Sequence, residues 1–304
     1  MLARAYGFAD RRYGIPSTVD TRFGIASGTK GLTALSVVSL IEDGTLERST
    51  TARSVLGPDL PLIDDGVTLE HLLGHRSGIG DYLDESTFDD TNAYLMPVPP
   101  HALHSTEAYL QVLDGFPQIS VPDERFAYNN GGFVVLALVA ERASGVPFER
   151  LVRERVCEPA GMRATEFLRS DELPPDAANG YLGVDGTRTN VHHLPVLGSG
   201  DGGIYTRVED ITAFWDAFFA GRIVSETWVA EMTRPRSHWP EEHKRYGLGF
   251  HLHETSDVVW LEGSDAGVSF ASTYDPSTRT SATMISNVSD TWTMARLLDE
   301  ELQL

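Results

Sequence analysis

Phe23-Gly24-Ile25-Ala26-Ser27-Gly28-Thr29-Lys30 opens the run on which the fold reading turns. From Ser27 to Glu42 the apolar residues Leu32, Leu35, Val38 and Ile41 recur at helical spacing, and Gly44 follows Asp43 as a stop. Ser27 therefore opens a largely buried helix, and Lys30 shares its face, since residues three apart are neighbours on a helix surface. Lysine is rare here: of 24 basic residues only Lys30 and Lys244 are lysine, the rest being arginine. A buried lysine gives up its proton, whereas a guanidinium does not, so Lys30 is a candidate base and Ser27 a candidate nucleophile. Unpaired N–H groups at the helix start suit an anion developing at the serine.

Composition narrows the function classes. A net charge of -20 argues against nucleic acid and anionic membrane surfaces, both of which require clustered basic residues. A single cysteine, Cys157, rules out an intrachain disulfide and a cysteine-based metal cluster. The first residues build no secretory h-region, and the longest apolar stretch, Phe133 to Ala140, falls far short of a bilayer span, so a cytoplasmic protein is expected. A strand-like segment starting almost at Met1 leaves room for an upstream strand or leader.

Helical patterns follow over 68–78, 132–142, 147–157, 208–220 and 290–302, and strands over 247–253, 258–261, 268–274 and 282–287. Strands thus gather at both chain ends. One sheet completed by returning strands, with helices inserted between, would explain that order.

A second constellation is Phe126-Ala127-Tyr128-Asn129-Asn130-Gly131-Gly132, a polar turn before a buried helix. Such a turn aims Tyr128 and Asn130 into a cleft; beside a lysine cation the Tyr128 phenolate should become more accessible, and Asn130 offers a donor and an acceptor to a substrate amide. His71 and His75 stand four apart but lack the glutamate of a His-Glu-x-x-His metal site, and His192, His193, His251 and His253 show no third ligand, so all are read as structural and neither metal nor cofactor is expected. No Gly-x-Ser-x-Gly elbow, phosphate-binding loop or dinucleotide fingerprint is present.

Ser-x-x-Lys opening a buried helix, with Tyr-x-Asn about a hundred residues on, resembles the serine β-lactamase and penicillin-binding superfamily. The likeness is to its branch of class C β-lactamases, D-alanyl-D-alanine carboxypeptidases and family VIII esterases. Leu72-Leu73-Gly74-His75-Arg76-Ser77-Gly78, Glu158-Pro159-Ala160-Gly161-Met162 and Gly202-Gly203-Ile204-Tyr205-Thr206 with Glu209-Asp210 are similar to further segments of that branch. The resemblance implies an α/β (α+β) fold: an antiparallel sheet flanked by helices, with a mainly helical insertion. Residues 1–70 and 195–304 would build the sheet domain and 71–194 the insertion.

It also implies acyl transfer to small esters or amides: Ser27 attacks, Lys30 and Tyr128 share the proton duties, and Asn130 holds the acyl side. The third motif departs from the pattern. Where relatives carry a basic, histidine or tryptophan residue on a cleft strand, this chain has Glu262-Gly263-Ser264-Asp265-Ala266-Gly267-Val268, with no cation. Glu262 and Asp265 would meet the substrate and repel its carboxylate, favouring esters over β-lactams. The second oxyanion N–H, beside that of Ser27, would come from Ala266 or Val268. Two alternatives stand beside the esterase reading: a catalytically silent binding protein, and a weak β-lactamase or D-amino-acid peptidase.

Overall fold

The computed structural model describes residues 2–87 and 90–289. An N-terminal hairpin joins β1 (Phe8–Asp10) to β2 (Ile15–Pro16). A small antiparallel sheet orders β3 (Phe23–Gly24), β4 (Glu166–Phe167) and β5 (Ile204–Thr206) as β3–β5–β4. The large sheet is an antiparallel meander of β6 (Ser237–Trp239), β7 (Lys244–Tyr246), β8 (His251–His253), β9 (Val259–Asp265), β10 (Val268–Asp275) and β11 (Thr280–Ser286), neighbours in sequence being neighbours in space.

The large sheet is drawn entirely from the C-terminal third, which differs from a sheet shared by the two chain ends. The first strand is three residues long, and Gly14, at φ 63°, turns the chain straight back, so β1 pairs with β2 instead. Just past the end of β11, Asn287 Nδ2 donates to the Phe8 carbonyl of the hairpin at 3.0 Å. The strand expected over 247–253 begins only at His251. Before it, Gly249 sits at φ 85° so close to the Ala34 methyl that any side chain there would collide. The helix expected over 290–302 lies outside the described residues.

Helix Thr29–Glu42 is buried on every side from Thr29 to Leu40, because it lies between the large sheet and helix Asn130–Ser144. A helix with one wet face cannot be apolar all round; this one is a core element. One continuous cluster joins Leu32, Leu35 and Val38 to Phe133, Leu136 and Val139 of the second helix and to Leu261 and Phe270 of the sheet. The cluster takes side chains from both of the segments read as separate domains. Behind it, helix Val208–Phe219 packs Phe214, Trp215 and Phe218 on the sheet, and buried Trp215 donates Nε1–H to Ser272 Oγ at 2.8 Å. Truncating such a buried leucine or phenylalanine costs about 2–5 kcal/mol, so the Ser27 end of the helix sits on a rigid floor.

Candidate active site

Ser27 lies in a tight 3-10 turn, Ala26–Gly28, and the α-helix proper begins at Thr29. Ala26 adopts φ 44°, a left-handed conformation that costs a non-glycine residue about 1–3 kcal/mol. The surroundings hold it there: the Ile25 N–H donates to the Ile204 carbonyl at 3.0 Å and the Gly28 N–H to the Ile25 carbonyl at 2.9 Å. Strand β9 presses directly on the turn. A Cβ on Gly263 would stand 2.6 Å from the Ser27 nitrogen, and one on Gly28 would stand 2.4 Å from the Phe270 ring. The two glycines let strand and serine backbones approach.

Lys30 is 2% exposed, and its ammonium donates to Ser27 Oγ at 2.8 Å, Asn130 Oδ1 at 2.7 Å and the Asp201 carbonyl at 2.9 Å. All three acceptors are uncharged. Burial lowers the Lys30 pKa, against the opposing pull of Asp201, Glu85, Asp81 and Asp265. When the proton leaves to solvent, the free amine becomes an acceptor for the Ser27 hydroxyl.

Tyr128 and Asn130 flank the start of helix Asn130–Ser144, whose cap is doubly made. The Asn129 side chain accepts from the Gly132 N–H at 2.6 Å, and the Asp81 carboxylate accepts from Asn130 N–H at 2.6 Å and Gly131 N–H at 2.9 Å. His75 supports the same turn: its carbonyl accepts from the Ala127 N–H at 2.8 Å, its Nδ1 accepts from the Asn129 N–H at 3.1 Å, and its ring lies 4.4 Å from that of Tyr128. His71 closes a capping box with Thr68. Both histidines thus have structural work.

The Asn130 amide is committed at both ends, its oxygen to Lys30 and its nitrogen to the Leu83 carbonyl at 2.8 Å and Glu85 at 3.1 Å. Tyr128 lies beside Ser27, with the Lys30 nitrogen 5.0 Å from its ring centre. Its phenol is not eased toward ionisation, contrary to the sequence expectation. Burial, then the charges of Glu85 and the Tyr246 phenol, with a further contribution from Glu262, raise it well above its ordinary value, outweighing the Ser27 hydrogen bond. Tyr128 is a proton donor at neutral pH.

In the third-motif segment, Ala266 N–H is spent on Asp265 Oδ1 at 2.8 Å. Val268 stands opposite Asp265, closing a two-residue hairpin loop, and such a closing pair exchanges its hydrogen bonds across the strands. Neither N–H is directed at Ser27. By the same alternation Gly263 pairs with Phe270, so the backbone of the intervening Ser264 points away from β10. On that edge β8 reaches only as far as Trp260, and Ser264 lines the cleft on both sides of Ser27. The pairing with β10 thus leaves Ser264 N–H unused, on a residue that lines the cleft.

Glu262 and Asp265 do line the cleft, on opposite sides of the serine. The missing cation is present, however, on another strand: Lys244 Nζ reaches Glu262 Oε1 at 2.6 Å. An ion pair across β8, eighteen positions apart in sequence, is invisible to motif spacing. Burial works to raise Glu262, but His251 and Lys244 beside it hold the carboxyl below its ordinary range. His251, read from sequence as structural, lines this side of the cleft. The other side is walled by Asp201, whose carboxylate accepts from the Tyr82 hydroxyl, and by Glu85, Tyr109 and Asn130. Only the Gly-Gly at 202–203 hinted at Asp201; Tyr82 and Glu85 carried no signal.

The Beta-lactamase family profile matches residues 1–303. The chain belongs to that family. Beta-lactamase family members of several kinds resemble it. The crystal structure of a penicillin binding protein from Bacillus halodurans superposes with a TM-score of 0.91 at 34% identity, over 98% of this chain and 92% of that one. Esterase EstB of Burkholderia gladioli is 33% identical over 56% of this chain and 45% of its own length. A D-aminopeptidase of Brucella anthropi is 27% identical over 84% of this chain and 47% of its own. The chain therefore spans about half the length of these two curated relatives. It is a serine hydrolase of the β-lactamase and penicillin-binding fold.

Proposed function

We propose that this hydrolase cleaves small esters and amides through an acyl-enzyme on Ser27, and esters well above β-lactams. The 2.8 Å contact between Lys30 Nζ and Ser27 Oγ carries the reading. Lys30, with its pKa lowered by burial, takes the Ser27 proton as Oγ attacks the carbonyl carbon. The oxyanion forms between the N–H groups of Ser27 and Ser264, each such donor contributing about 3 kcal/mol. The Tyr128 phenol then donates its proton to the leaving atom and recovers one from Lys30. Water attacks the acyl-enzyme by the same route in reverse, releasing the acid and restoring the Ser27 hydroxyl.

The proton donor faces the leaving atom, so the side walled by Tyr128, Trp239 and Glu262 takes the leaving group. The side walled by Asn130, Asp201 and Asp265 takes the acyl group. Carboxylates outnumber cations in both halves, which disfavours anionic substrates such as β-lactams.

The test is a fluorophosphonate probe read by intact mass. Wild type is expected to gain one adduct, with fluoride displaced by Ser27 Oγ, and Ser27→Ala none. No adduct on wild type, as a silent binding protein predicts, or an equal adduct on Ser27→Ala, sinks the mechanism. A chromogenic cephalosporin turned over as fast as p-nitrophenyl acetate would remove the ester preference.

A further inference from the structure

The leaving-group side holds a cation that the motif itself lacks, and it is placed unlike a surface lysine. Lys244 starts on β7, crosses the short β8 and ends 2.6 Å from Glu262 Oε1 on β9, with its side chain 13% exposed. Its nitrogen lies 5.7 Å from the Trp239 ring centre and 5.6 Å from that of Trp260, so two indoles flank it. Glu242 approaches at 3.5 Å. His251 Nε2 is 3.7 Å from the same Glu262 oxygen, and burial pushes its pKa down to about 4, leaving the ring uncharged near neutrality. Two carboxylates thus face one ammonium, and no free positive charge remains on the wall. Glu262 keeps 29% side-chain exposure toward the cleft, beside Ser27 and Tyr128.

We propose that Glu262 and Lys244 form a capped charge that selects the leaving group: Glu262, tethered by Lys244, accepts from an N–H donor of a neutral or cationic leaving group, and by neutralising Lys244 it turns carboxylate-bearing leaving groups away. This rests on the assignment of that side of the cleft to the leaving group. The cap is also a latent switch. A chain that otherwise uses arginine places here a compact ammonium with three rotatable donors, which fits between two indoles and can re-aim once Glu262 lets go. Removing the Glu262 charge should hand the site to Lys244 and open it to carboxylates.

Two matched aryl acetates isolate the effect: 4-acetoxybenzamide, whose leaving group carries a neutral amide, and 4-acetoxybenzoate, whose leaving group carries a carboxylate. Wild type is expected to prefer the benzamide in kcat/KM. Glu262→Gln, which keeps the side-chain size, is expected to shift the preference toward the benzoate by about tenfold or more, the scale set by replacing a repelling charge with an attracting one a few ångströms away, with the gain in KM. Adding Lys244→Met to Glu262→Gln should abolish the gain, and Lys244→Met alone should deepen the rejection. A preference that stays within twofold in Glu262→Gln overturns the selector.

A binding arm keeps this separate from the hydrolase reading. In the Ser27→Ala background the affinity for 4-hydroxybenzoate relative to 4-hydroxybenzamide should rise in Glu262→Gln and fall back with Lys244→Met. An unmoved ratio sinks the selector even if Ser27 labels fully. A moved ratio supports it even if Ser27 takes no fluorophosphonate, in which case only the acyl-enzyme reading fails.

Discussion

The two lysines of this chain both stand near one serine, Lys30 bonded to it and Lys244 on the wall of its cleft, and are solvated by opposite means. Lys30 is enclosed by uncharged oxygens, those of Ser27, Asn130 and the Asp201 backbone. Lys244 is enclosed by carboxylates, Glu262 at 2.6 Å and Glu242 at 3.5 Å. A buried ammonium with these neutral partners keeps its hydrogen bonds when it deprotonates, since its two remaining N–H groups still serve the Asn130 and Asp201 carbonyls while its lone pair accepts from the Ser27 hydroxyl; one that closes an ion pair forfeits the Coulomb attraction. The same residue type is therefore held by neutral acceptors in one place and by an ion pair in the other.

The largest effect breaks that contrast at Lys30. Replacing it with arginine keeps the positive charge and removes the capacity to deprotonate, so kcat/KM for p-nitrophenyl acetate should fall by about 10³–10⁴, the upper range for a general base. A variant that melts cooperatively and retains a tenth of wild-type activity would show that charge, and not basicity, is what Lys30 supplies. In the wild type, activity should rise with pH as Lys30 deprotonates, with a midpoint below the ordinary lysine value.

A smaller, substrate-dependent effect belongs to Tyr128. Its raised pKa makes it a donor, and only some leaving groups need a proton. Tyr128→Phe is expected to cost about a hundredfold on an anilide, whose nitrogen cannot leave as an anion, and much less on p-nitrophenyl acetate. Equal losses on both substrates would place Tyr128 at the nucleophile's proton and reopen the division of labour with Lys30.

What the sequence made legible follows the range of the interactions involved. Ser27 and Lys30 are a turn apart on one helix, and Tyr128 and Asn130 share one turn, so local spacing suffices to find each pair. The large sheet is a meander whose strands follow one another, and its last two were read nearly to their ends, while β9 runs four residues past the expected 258–261. What escaped was long-range: the pairing of Lys244 with Glu262 across a strand, the Asp81 cap supplied from 49 residues upstream of Asn130, and Asp201 folded under Lys30. The proposed oxyanion donor escaped for a subtler reason. Ser264 differs from Ala266 only by hairpin register, and register is fixed by the turn at Ala266-Gly267 together with its partner strand, which no single segment displays.

The smallest effect concerns the carboxylates that surround Lys30 without touching it. Asp265 is pushed up to about 7, first by burial and then by the neighbouring charges of Asp201 and Glu85, although the Ala266 N–H and Lys30 pull the other way. A carboxyl whose folded pKa lies above its unfolded value of 3.8 is bound to a proton in the folded state while the unfolded chain has released it. Stability therefore declines as pH rises from about 4 to about 7 and levels off above that. Asp265→Asn removes the decline, keeps an oxygen for the Ala266 N–H, and should raise the melting temperature by about 2–4 °C at pH 8 with no gain at pH 4. A gain of equal size at both pH values would mean that the asparagine improves packing, and that Asp265 carries no buried charge for Lys30 to balance.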